Sequence, residues 1–263
     1  MTLRQTLKPW AARMGLTSSA ILWKPLALRQ YEKKRLENPD YREWIDKYQH
    51  WLGGHWAHDI QTEAVTVTHL SSQLFEITSI LKRRIGFVGN KSVLDAGASD
   101  ALFMYLLGAK DGTGINILPS CVDKIKSAGF KALQCSIEGL PFPDKSFDIV
   151  ICCETLEHVL NPLRTLNELA RVSKGKIYMT IPWLKRTRLN AKPEGWPETE
   201  SHIFEFNESD FSKVVTFSDV EIVHKELLQI FPEPSNPLTR WWVDYWLYQD
   251  FFPKLQYYEL RKK

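Results

Sequence analysis

The stretch that decides the fold is SVLDAGASDALFMYLLGAKDGTGINI, residues 92–117. It begins with a short apolar run at Ser92–Leu94 and turns through small residues. It continues as an apolar, helix-like segment at Leu102–Leu107 and ends in a second apolar run at Thr113–Ile117. A strand, a helix and a strand in this order predict a βαβ unit, whose two strands lie parallel in one sheet.

The same alternation continues towards the C-terminus. Further strands are predicted at Ala132–Gln134, Phe147–Cys152, Lys176–Ile181, Val220–Ile230 and Leu255–Leu260, and helices at Cys121–Ala128, Leu163–Arg171 and Glu208–Val214. We therefore predict an α/β fold of the Rossmann-like, doubly wound type, with a mostly parallel seven-stranded sheet and helices on both faces. In such sheets ligands bind just beyond the carboxyl ends of the strands.

The two ends of the chain differ from this middle part. Residues 1–68 are predicted to form a helical, aromatic-rich N-terminal extension, and residues 69–263 the α/β domain, with insertions at 183–206 and 232–252. Apolar residues at helical spacing predict an amphipathic helix over Thr68–Ile85. All ten tryptophans lie in the ends, because none occurs between residues 57 and 182.

Composition and charge narrow the class of protein. A net charge of +3 does not indicate a nucleic-acid partner, and no apolar run approaches the ~18 residues that span a membrane. The four cysteines form no C-x-x-C motif, so we expect buried, reduced thiols and a cytoplasmic location. The first 35 residues hold eight Lys or Arg and a single acid. This basic amphipathic segment either packs on the domain, contacts a membrane peripherally or acts as a targeting peptide.

Small and polar residues follow the first two predicted strands. Asp95 and Gly97 end the first strand, and Asn116 ends the second, twenty-one residues after Asp95. Small residues allow the backbone to approach a ligand closely, and a polar side chain at this spacing suits ribose hydroxyls. Similar turns occur in α/β proteins that bind nothing there, so this pattern alone does not decide the function.

Three further segments make the pattern specific: SIEGLPFPDKSFDIV at 136–150, CETLEHV at 153–159 and LNELARVSKG at 166–175. With the turn after Asp95, they resemble the class I S-adenosylmethionine-dependent methyltransferases, in particular the branch with quinone, sugar and natural-product O-methyltransferases. The resemblance covers roughly residues 68–226 and implies S-adenosylmethionine as the cofactor. Residues 69–263 are accordingly interpreted as a methyltransferase domain.

The resemblance also implies which residues hold the cofactor. Asp95 and Gly97 would hold its methionyl end, Asn116 would face the ribose, Ser136 and Ile137 the adenine, and Cys153 would form a wall after the fourth strand. The full set that it implies is Asp95, Gly97, Ala98, Ser99, Asn116, Ile117, Ser136, Ile137, Glu138 and Cys153.

The chain departs from the family pattern at four of its positions. Ser99 and Ala101 replace the second and third glycines, and Asn116 and Ser136 replace acids. Loss of two carboxylates weakens ligand binding, since charge-assisted hydrogen bonds are about twice as strong as neutral ones. A module that binds the cofactor without turnover therefore remains an alternative to an enzyme. A nucleotide-dependent oxidoreductase is a second alternative, although it does not explain the segments between residues 136 and 159.

His158, Glu154 and His202 are the predicted catalytic residues. His158 follows the fourth strand, where this family faces its acceptor, and an imidazole near its ordinary pKa can take a proton from a hydroxyl. On a helix, Glu154 and His158 would share a face. His202 lies in the insertion after the fifth strand, where it either approaches the acceptor or holds a turn. For both histidines a purely structural role is the alternative.

The catalytic segment also raises the question of a metal ion. Glu154, Glu157 and His158 form E-x-x-E-H, which related quinone O-methyltransferases carry and use with a divalent metal. Metal-independent relatives carry the same residues, and we predict no metal ligand.

The expected reaction is in-line methyl transfer to an oxygen of a small-molecule, glycan or lipid-linked acceptor. The aromatic ends would then serve as an acceptor lid or a membrane-facing surface.

Overall fold

The computed structural model describes residues 37–44, 64–183, 188–189, 202–230 and 254–263. The chain divides into two compact units, one formed by Met1–Phe75 and Glu233–Phe251 and the other by Glu76–Pro232 and Phe252–Lys263. Most of the predicted extension at 1–68, most of the insertion at 183–206 and the whole insertion at 232–252 lie outside the described residues. The predicted domain boundaries therefore stay predictions.

The described part of the first unit is helical. Helix α1 covers residues 39–44, and α2 runs over Ala64–Ile85, of which the part from Glu76 onwards belongs to the second unit. Helix α2 confirms the predicted amphipathic helix. Tyr41 and Trp44 are buried; their rings stack with centroids 6.2 Å apart, and the Phe75 ring meets Trp44 edge-on at 5.8 Å. Of the ten tryptophans, Trp44 and Trp183 lie within the described ranges.

The second unit is built on a seven-stranded sheet. Its strands are β1 (Ser92–Ala96), β2 (Asp111–Asn116), β3 (Lys131–Gln134), β4 (Phe147–Cys153), β5 (Ser173–Pro182), β8 (Val220–Gln229) and β9 (Lys254–Lys262). They follow the order β3-β2-β1-β4-β5-β9-β8, in which β1 to β5 are parallel and β9 is antiparallel to both of its neighbours. The predicted fold class is confirmed. A separate two-residue ladder joins β6 (Arg188–Leu189) to β7 (Phe204–Glu205), within the predicted insertion.

Helices connect the strands of the sheet. They are α3 (Leu102–Leu106), α4 (Pro119–Ser127), α5 (Pro162–Val172) and α6 (Glu208–Thr216), with a single 3₁₀ turn at Leu156–His158. Asparagine caps begin α5 and α6: Asn161 Oδ1 accepts from the backbone N–H of Arg164 at 3.0 Å, and Asn207 Oδ1 from that of Asp210 at 2.8 Å. Such caps satisfy N–H groups that the first helical turn leaves without partners.

The core lies along the central parallel strands. Residues Ile149–Cys153 of β4 are five consecutive buried residues, and Val93–Ala96 of β1 are buried as well. Continuous burial of this kind is typical of parallel strands that are covered on both faces. Within the described ranges, no helix is long and apolar enough to cross a membrane.

The 136–150 and 166–175 segments interlock through one arginine. The Arg171 guanidinium donates to the carbonyl oxygens of Leu140 at 2.8 Å and Phe142 at 2.7 Å, and to Asp144 Oδ1 at 3.0 Å. It also pairs with both carboxylate oxygens of Glu168, at 2.9 and 2.8 Å. Glu168 in turn accepts from the Leu140 backbone N–H at 2.7 Å. Arg171 and Glu168 of α5 therefore fix the loop that precedes β4.

The position of the candidate site follows from the strand order. From β1 the chain continues on one side to β2 and β3, and it later returns to the other side of β1 to form β4. The carboxyl ends of β1 and β4 therefore flank the point where the order reverses, which is where ligands bind in this architecture.

Candidate active site

The turn after β1 contains a buried acid and an obligatory glycine. Asp95 is 3% exposed, and burial, with a smaller contribution from the Asp100 charge, raises the pKa of its carboxyl to about 8. Gly97 has a φ of 92°, and a Cβ at this position would lie 2.2 Å from Thr155 Oγ1. The turn after β1 therefore lies directly against the segment that follows β4.

The residues that stand in place of the family's second and third glycines, Ser99 and Ala101, are compatible with this turn. Ala98 is buried and Ser99 exposed. Ala101 begins α3 with a φ of 68°, in the left-handed region where the family has a glycine. A residue with a Cβ adopts this conformation at a cost of roughly 1–2 kcal/mol, so alanine preserves the turn with some strain.

Asn116, at the end of β2, contacts backbone groups on both sides. Its Nδ2 donates to the Ala98 carbonyl oxygen at 3.0 Å, and its Oδ1 accepts from the Leu118 N–H at 2.9 Å. The neighbouring Ile117 is exposed. The predicted ribose contact of Asn116 stays a prediction, but the structure shows a local role that the sequence did not indicate.

The segment after β3 is fixed by its own side chains. Ser136 Oγ accepts from the Glu138 N–H at 3.2 Å, while Ile137 is buried. The Glu138 carboxylate accepts from the Asn161 N–H at 2.5 Å, which links this segment to the start of α5. The predicted contacts of these three residues with adenine stay predictions.

The segment after β4 differs from the predicted helix. Cys153 is buried, and burial raises the pKa of its thiol. Glu154 has a φ of 50°, and its backbone N–H donates to the Thr180 carbonyl at 3.0 Å, so it continues the pairing of β4 with β5. The prediction that Glu154 and His158 share a helical face is wrong, because only Leu156–His158 form a single 3₁₀ turn.

Two histidines from separate segments meet beside this turn. The ring centroids of His158 and His202 lie 4.9 Å apart, and His202 Nδ1 lies 3.0 Å from Glu205 Oε1. The Ile203 N–H donates to the Glu157 carbonyl at 2.7 Å, which attaches the 202–205 segment to the 3₁₀ turn. The structure thus brings together two of the predicted catalytic residues. It adds Glu205, whose role no spacing in the sequence could indicate.

Glu157 is the most deeply buried acid of this group. It is 1% exposed, and within the part of the chain that the structure describes neither carboxylate oxygen has a hydrogen-bond partner. Burial raises its pKa well above the ordinary range, and the charges of Glu154 and Glu205 raise it further. Its Oε1 lies 3.9 Å from His158 Nε2.

The same cluster has the composition of a metal site. One ligand atom from each of Glu157, His158 and His202 lies within 4.8 Å of the others. Glu205 holds one ring nitrogen of His202, as carboxylates commonly do for metal-bound histidines. Two imidazoles and a carboxylate suit a first-row divalent ion, so these residues would hold an ion if the protein binds one.

The match to a known family covers the parallel part of the sheet, β1 to β5. The family model for the methyltransferase domain matches residues 94–179, which include most of β1 and β5 and everything between them. His158 lies within the match, whereas His202 and Glu205 lie beyond it.

Two curated relatives align with part of the chain. An uncharacterized protein of Methanocaldococcus jannaschii is 32% identical over 110 residues, which are 41% of this chain and 48% of that protein. The ubiquinone/menaquinone biosynthesis C-methyltransferase UbiE of Xanthomonas campestris pv. campestris is 32% identical over 108 residues, 41% of this chain and 38% of the relative. The chain therefore spans less than half the length of these relatives.

A solved structure extends the likeness in fold. The magnesium protoporphyrin IX methyltransferase of Synechocystis PCC 6803, solved with bound S-adenosylmethionine, has a TM-score of 0.54 at 12% identity. The comparison covers 86% of this chain and 98% of the other.

Proposed function

We propose that this chain, whose second unit contains a class I S-adenosylmethionine-dependent methyltransferase domain, transfers the methyl group of S-adenosylmethionine to an oxygen of a small-molecule, glycan or lipid-linked acceptor. The matched domain and the fold confirm the predicted family, enzyme class and cofactor at the level of that domain. The acceptor, the oxygen atom and the residue roles are our proposal.

One observation carries the proposal: the turn at Gly97 touches Thr155. Thr155 lies in the segment that carries Glu154 and His158. A ligand held at the turn after β1 is thereby next to the segment that carries His158, whose ring meets that of His202. Methyl transfer needs this juxtaposition, because the acceptor must be aligned with the methyl group and must lose a proton.

The residues of the turn fit the cofactor. S-adenosylmethionine supplies an electrophilic methyl group on a sulfonium ion and carries a cationic amino group on its methionyl part. A buried carboxyl with a pKa of about 8 accepts a cation well, since a nearby positive charge favours its ionised form. Asp95 would therefore lose its proton and pair with the methionyl end.

The histidine pair supplies the proton acceptor. His158 would remove the proton of the acceptor hydroxyl, with His202 beside it held in one orientation by Glu205. Glu154 lies near enough to Glu157 to influence its charge, and its carboxylate would stabilise the protonated imidazole. The roles of His158 and His202 rest on the geometry of the cluster, and the role of Glu154 rests on the effect of its charge on Glu157.

Variants at the two histidines test this assignment. We expect His158→Ala and His202→Ala each to lower the turnover number at least ~10²-fold, the usual scale for a lost general base, without changing the affinity for S-adenosylhomocysteine. His224→Ala, at a histidine of β8 outside the cluster, is the matched control. Catechols, hydroxyquinones, hexosides and polyprenyl phosphosugars are the acceptor probes. Unchanged turnover in both variants would refute the assignment.

Carbon is the alternative acceptor atom, supported by the likeness to a relative named as a C-methyltransferase. Transfer from S-adenosylmethionine with a ¹³C-labelled methyl group distinguishes the two, because oxygen-bound and carbon-bound methyl groups have well-separated carbon chemical shifts. A module that binds the cofactor but methylates none of the probes is the second alternative, suggested by the replaced residues Ser99, Ala101, Asn116 and Ser136.

A metal-assisted reaction is favoured by one specific feature, the buried Glu157 carboxylate beside His158 and His202. An ion held by these three residues would act as a Lewis acid towards the acceptor oxygen. Metal analysis of the purified protein and activity after treatment with EDTA test this version. Full activity in a metal-free preparation would exclude it.

The basic N-terminal segment bears on where the protein acts in the cell. We place the protein in the cytoplasm, with the basic residues 1–35, which lie outside the described residues, in peripheral contact with an anionic membrane. Co-sedimentation with vesicles of anionic and of neutral lipids, with and without these residues, tests that contact.

A further inference from the structure

We infer that Asn116 is a positioning residue that holds the turns after β1 and β2 in the shape that receives the cofactor, through a pair of contacts that only an amide can make. This inference rests on the proposed binding of S-adenosylmethionine. It assigns to Asn116 a role that the family's acid at the same position would not perform in this chain.

The contacts fix the amide in one orientation. Nδ2 donates to the Ala98 carbonyl oxygen at 3.0 Å, and Oδ1 accepts from the Leu118 N–H at 2.9 Å. Rotation of the amide by 180° would place oxygen against oxygen and N–H against N–H, so both contacts would be lost together. Each amide group keeps a second N–H or lone pair, which leaves the side chain able to contact a ligand as well.

Residue 116 is also the centre of a series of contacts across the sheet edge. The Gly97 N–H donates to the Ile115 carbonyl at 3.0 Å, and the Cys135 N–H to the Asn116 carbonyl at 3.1 Å. Gln134 Nε2 donates to the Ile117 carbonyl at 3.0 Å. The segments that follow β1, β2 and β3 are therefore connected, and the Asn116 side chain forms the contact between the first two.

An acid cannot replace the amide in this arrangement. An aspartate at position 116 would still accept from the Leu118 N–H, but its second oxygen would lie against the Ala98 carbonyl oxygen. One hydrogen bond would become a repulsive contact in a partly buried place, and the turn that contains Gly97 and Ala98 would have to move. The family pattern predicts the opposite effect, because a carboxylate makes stronger hydrogen bonds to ribose hydroxyls.

Calorimetric titration with S-adenosylhomocysteine distinguishes these two effects. We expect Asn116→Asp to bind about tenfold more weakly than the unaltered protein, the scale of one lost hydrogen bond. Asn116→Ala removes both contacts without adding a charge, and we expect it to bind no more weakly than Asn116→Asp. Asn167→Asp is the matched control. The Asn167 Oδ1 accepts from the Asp219 N–H at 2.8 Å, and an aspartate oxygen can accept that hydrogen bond equally well. We therefore expect Asn167→Asp to bind S-adenosylhomocysteine as the unaltered protein does. Equal or tighter binding by Asn116→Asp would overturn the inference.

Hydrogen exchange of the unliganded protein gives an independent readout. The Leu118 N–H and the turn at residues 97–101 should exchange faster in Asn116→Asp and in Asn116→Ala, but not in Asn167→Asp. Unchanged exchange at these positions in both Asn116 variants would overturn the inference, even if the variants differ in overall stability. If the unaltered protein does not bind S-adenosylhomocysteine, the proposed function fails, while the exchange experiment still decides the role of Asn116.

Discussion

Asp95 and Gly97 lie two residues apart at the reversal of strand order, where Asp95 supplies a buried carboxyl and Gly97 a positive φ that brings the turn against Thr155. Their position in the fold follows from a strand that ends in an acid and a small-residue turn. The partners of Asn116 and the contact of His202 with Glu205 could not be predicted. Each depends on side-chain or loop packing between segments that are distant in sequence.

The raised pKa of Asp95 predicts a pH dependence of stability. Its folded-state pKa of about 8 exceeds the ordinary unfolded value of about 3.9, so the folded protein holds a proton that the unfolded chain releases between these values. The contribution of Asp95 to the free energy of unfolding therefore falls as the pH rises from about 4 to about 8.

Urea denaturation at pH 5 and pH 8 measures this effect. We expect the unliganded protein to lose more stability between the two pH values than the Asp95→Asn variant, which lacks the titrating group. The comparison removes the contributions of all other groups, including Glu157. Equal losses in the two proteins would show that the Asp95 carboxyl does not titrate in this range.

Gly97 and Gly129 form a matched pair for testing the contact between the two segments. Both have a positive φ, of 92° and 87°, but a Cβ on Gly129 would meet nothing within 4 Å. Alanine at either position adds the same backbone strain, and only at Gly97 does it also displace Thr155. We expect Gly97→Ala to weaken binding of S-adenosylhomocysteine at least about tenfold and Gly129→Ala to leave it unchanged. Similar affinities in both variants would mean that the contact does not shape the site.

At the level of elements, the sequence motifs at 136–150 and 166–175 predict two parts of one domain but not the contact that joins them. Arg171 makes this contact, because its guanidinium donates to backbone and carboxylate oxygens of the loop at residues 140–144. The segment after β4 shows the opposite case. The spacing of Glu154 and His158 suggested a helix, whereas the pairing of Glu154 with Thr180 in β5 prolongs the strand and leaves room for only one 3₁₀ turn.

Replacement of Arg171 by lysine tests the interlock. Lysine keeps the charge but cannot contact two carbonyl oxygens and two carboxylates from one planar group. We expect Arg171→Lys to lower the free energy of unfolding by about 1–3 kcal/mol, measured by urea denaturation. Arg164→Lys, on the exposed face of the same helix, should change it by less than about 0.5 kcal/mol. An equally small change in both variants would show that the interlock adds nothing to stability.

At the level of the whole molecule, alternation of strands and helices predicted the class, the strand count and the parallel half of the sheet. The position of β9 between β5 and β8 was not predictable, because apolar patterning reports which face of a strand is buried and not which neighbour it pairs with. Strand β9 thereby joins β8 to the rest of the sheet.

Removal of residues 254–263 tests this position. Because β9 pairs with both β5 and β8, the truncated chain would lose two ladders together with the buried rings of Tyr257 and Tyr258. We expect loss of the cooperative unfolding transition, followed by circular dichroism, whereas a tag added after Lys263 should leave it unchanged. A cooperative transition in the truncated chain would contradict the structure.

Titration of S-adenosylmethionine into the unaltered protein and into Asp95→Asn tests the central claim most directly. A class I site at the carboxyl end of β1 predicts one binding site per chain, with affinity lowered at least about tenfold when the buried carboxylate is replaced by a neutral amide. Absence of binding to the unaltered protein, or equal affinity in the two proteins, would contradict the account.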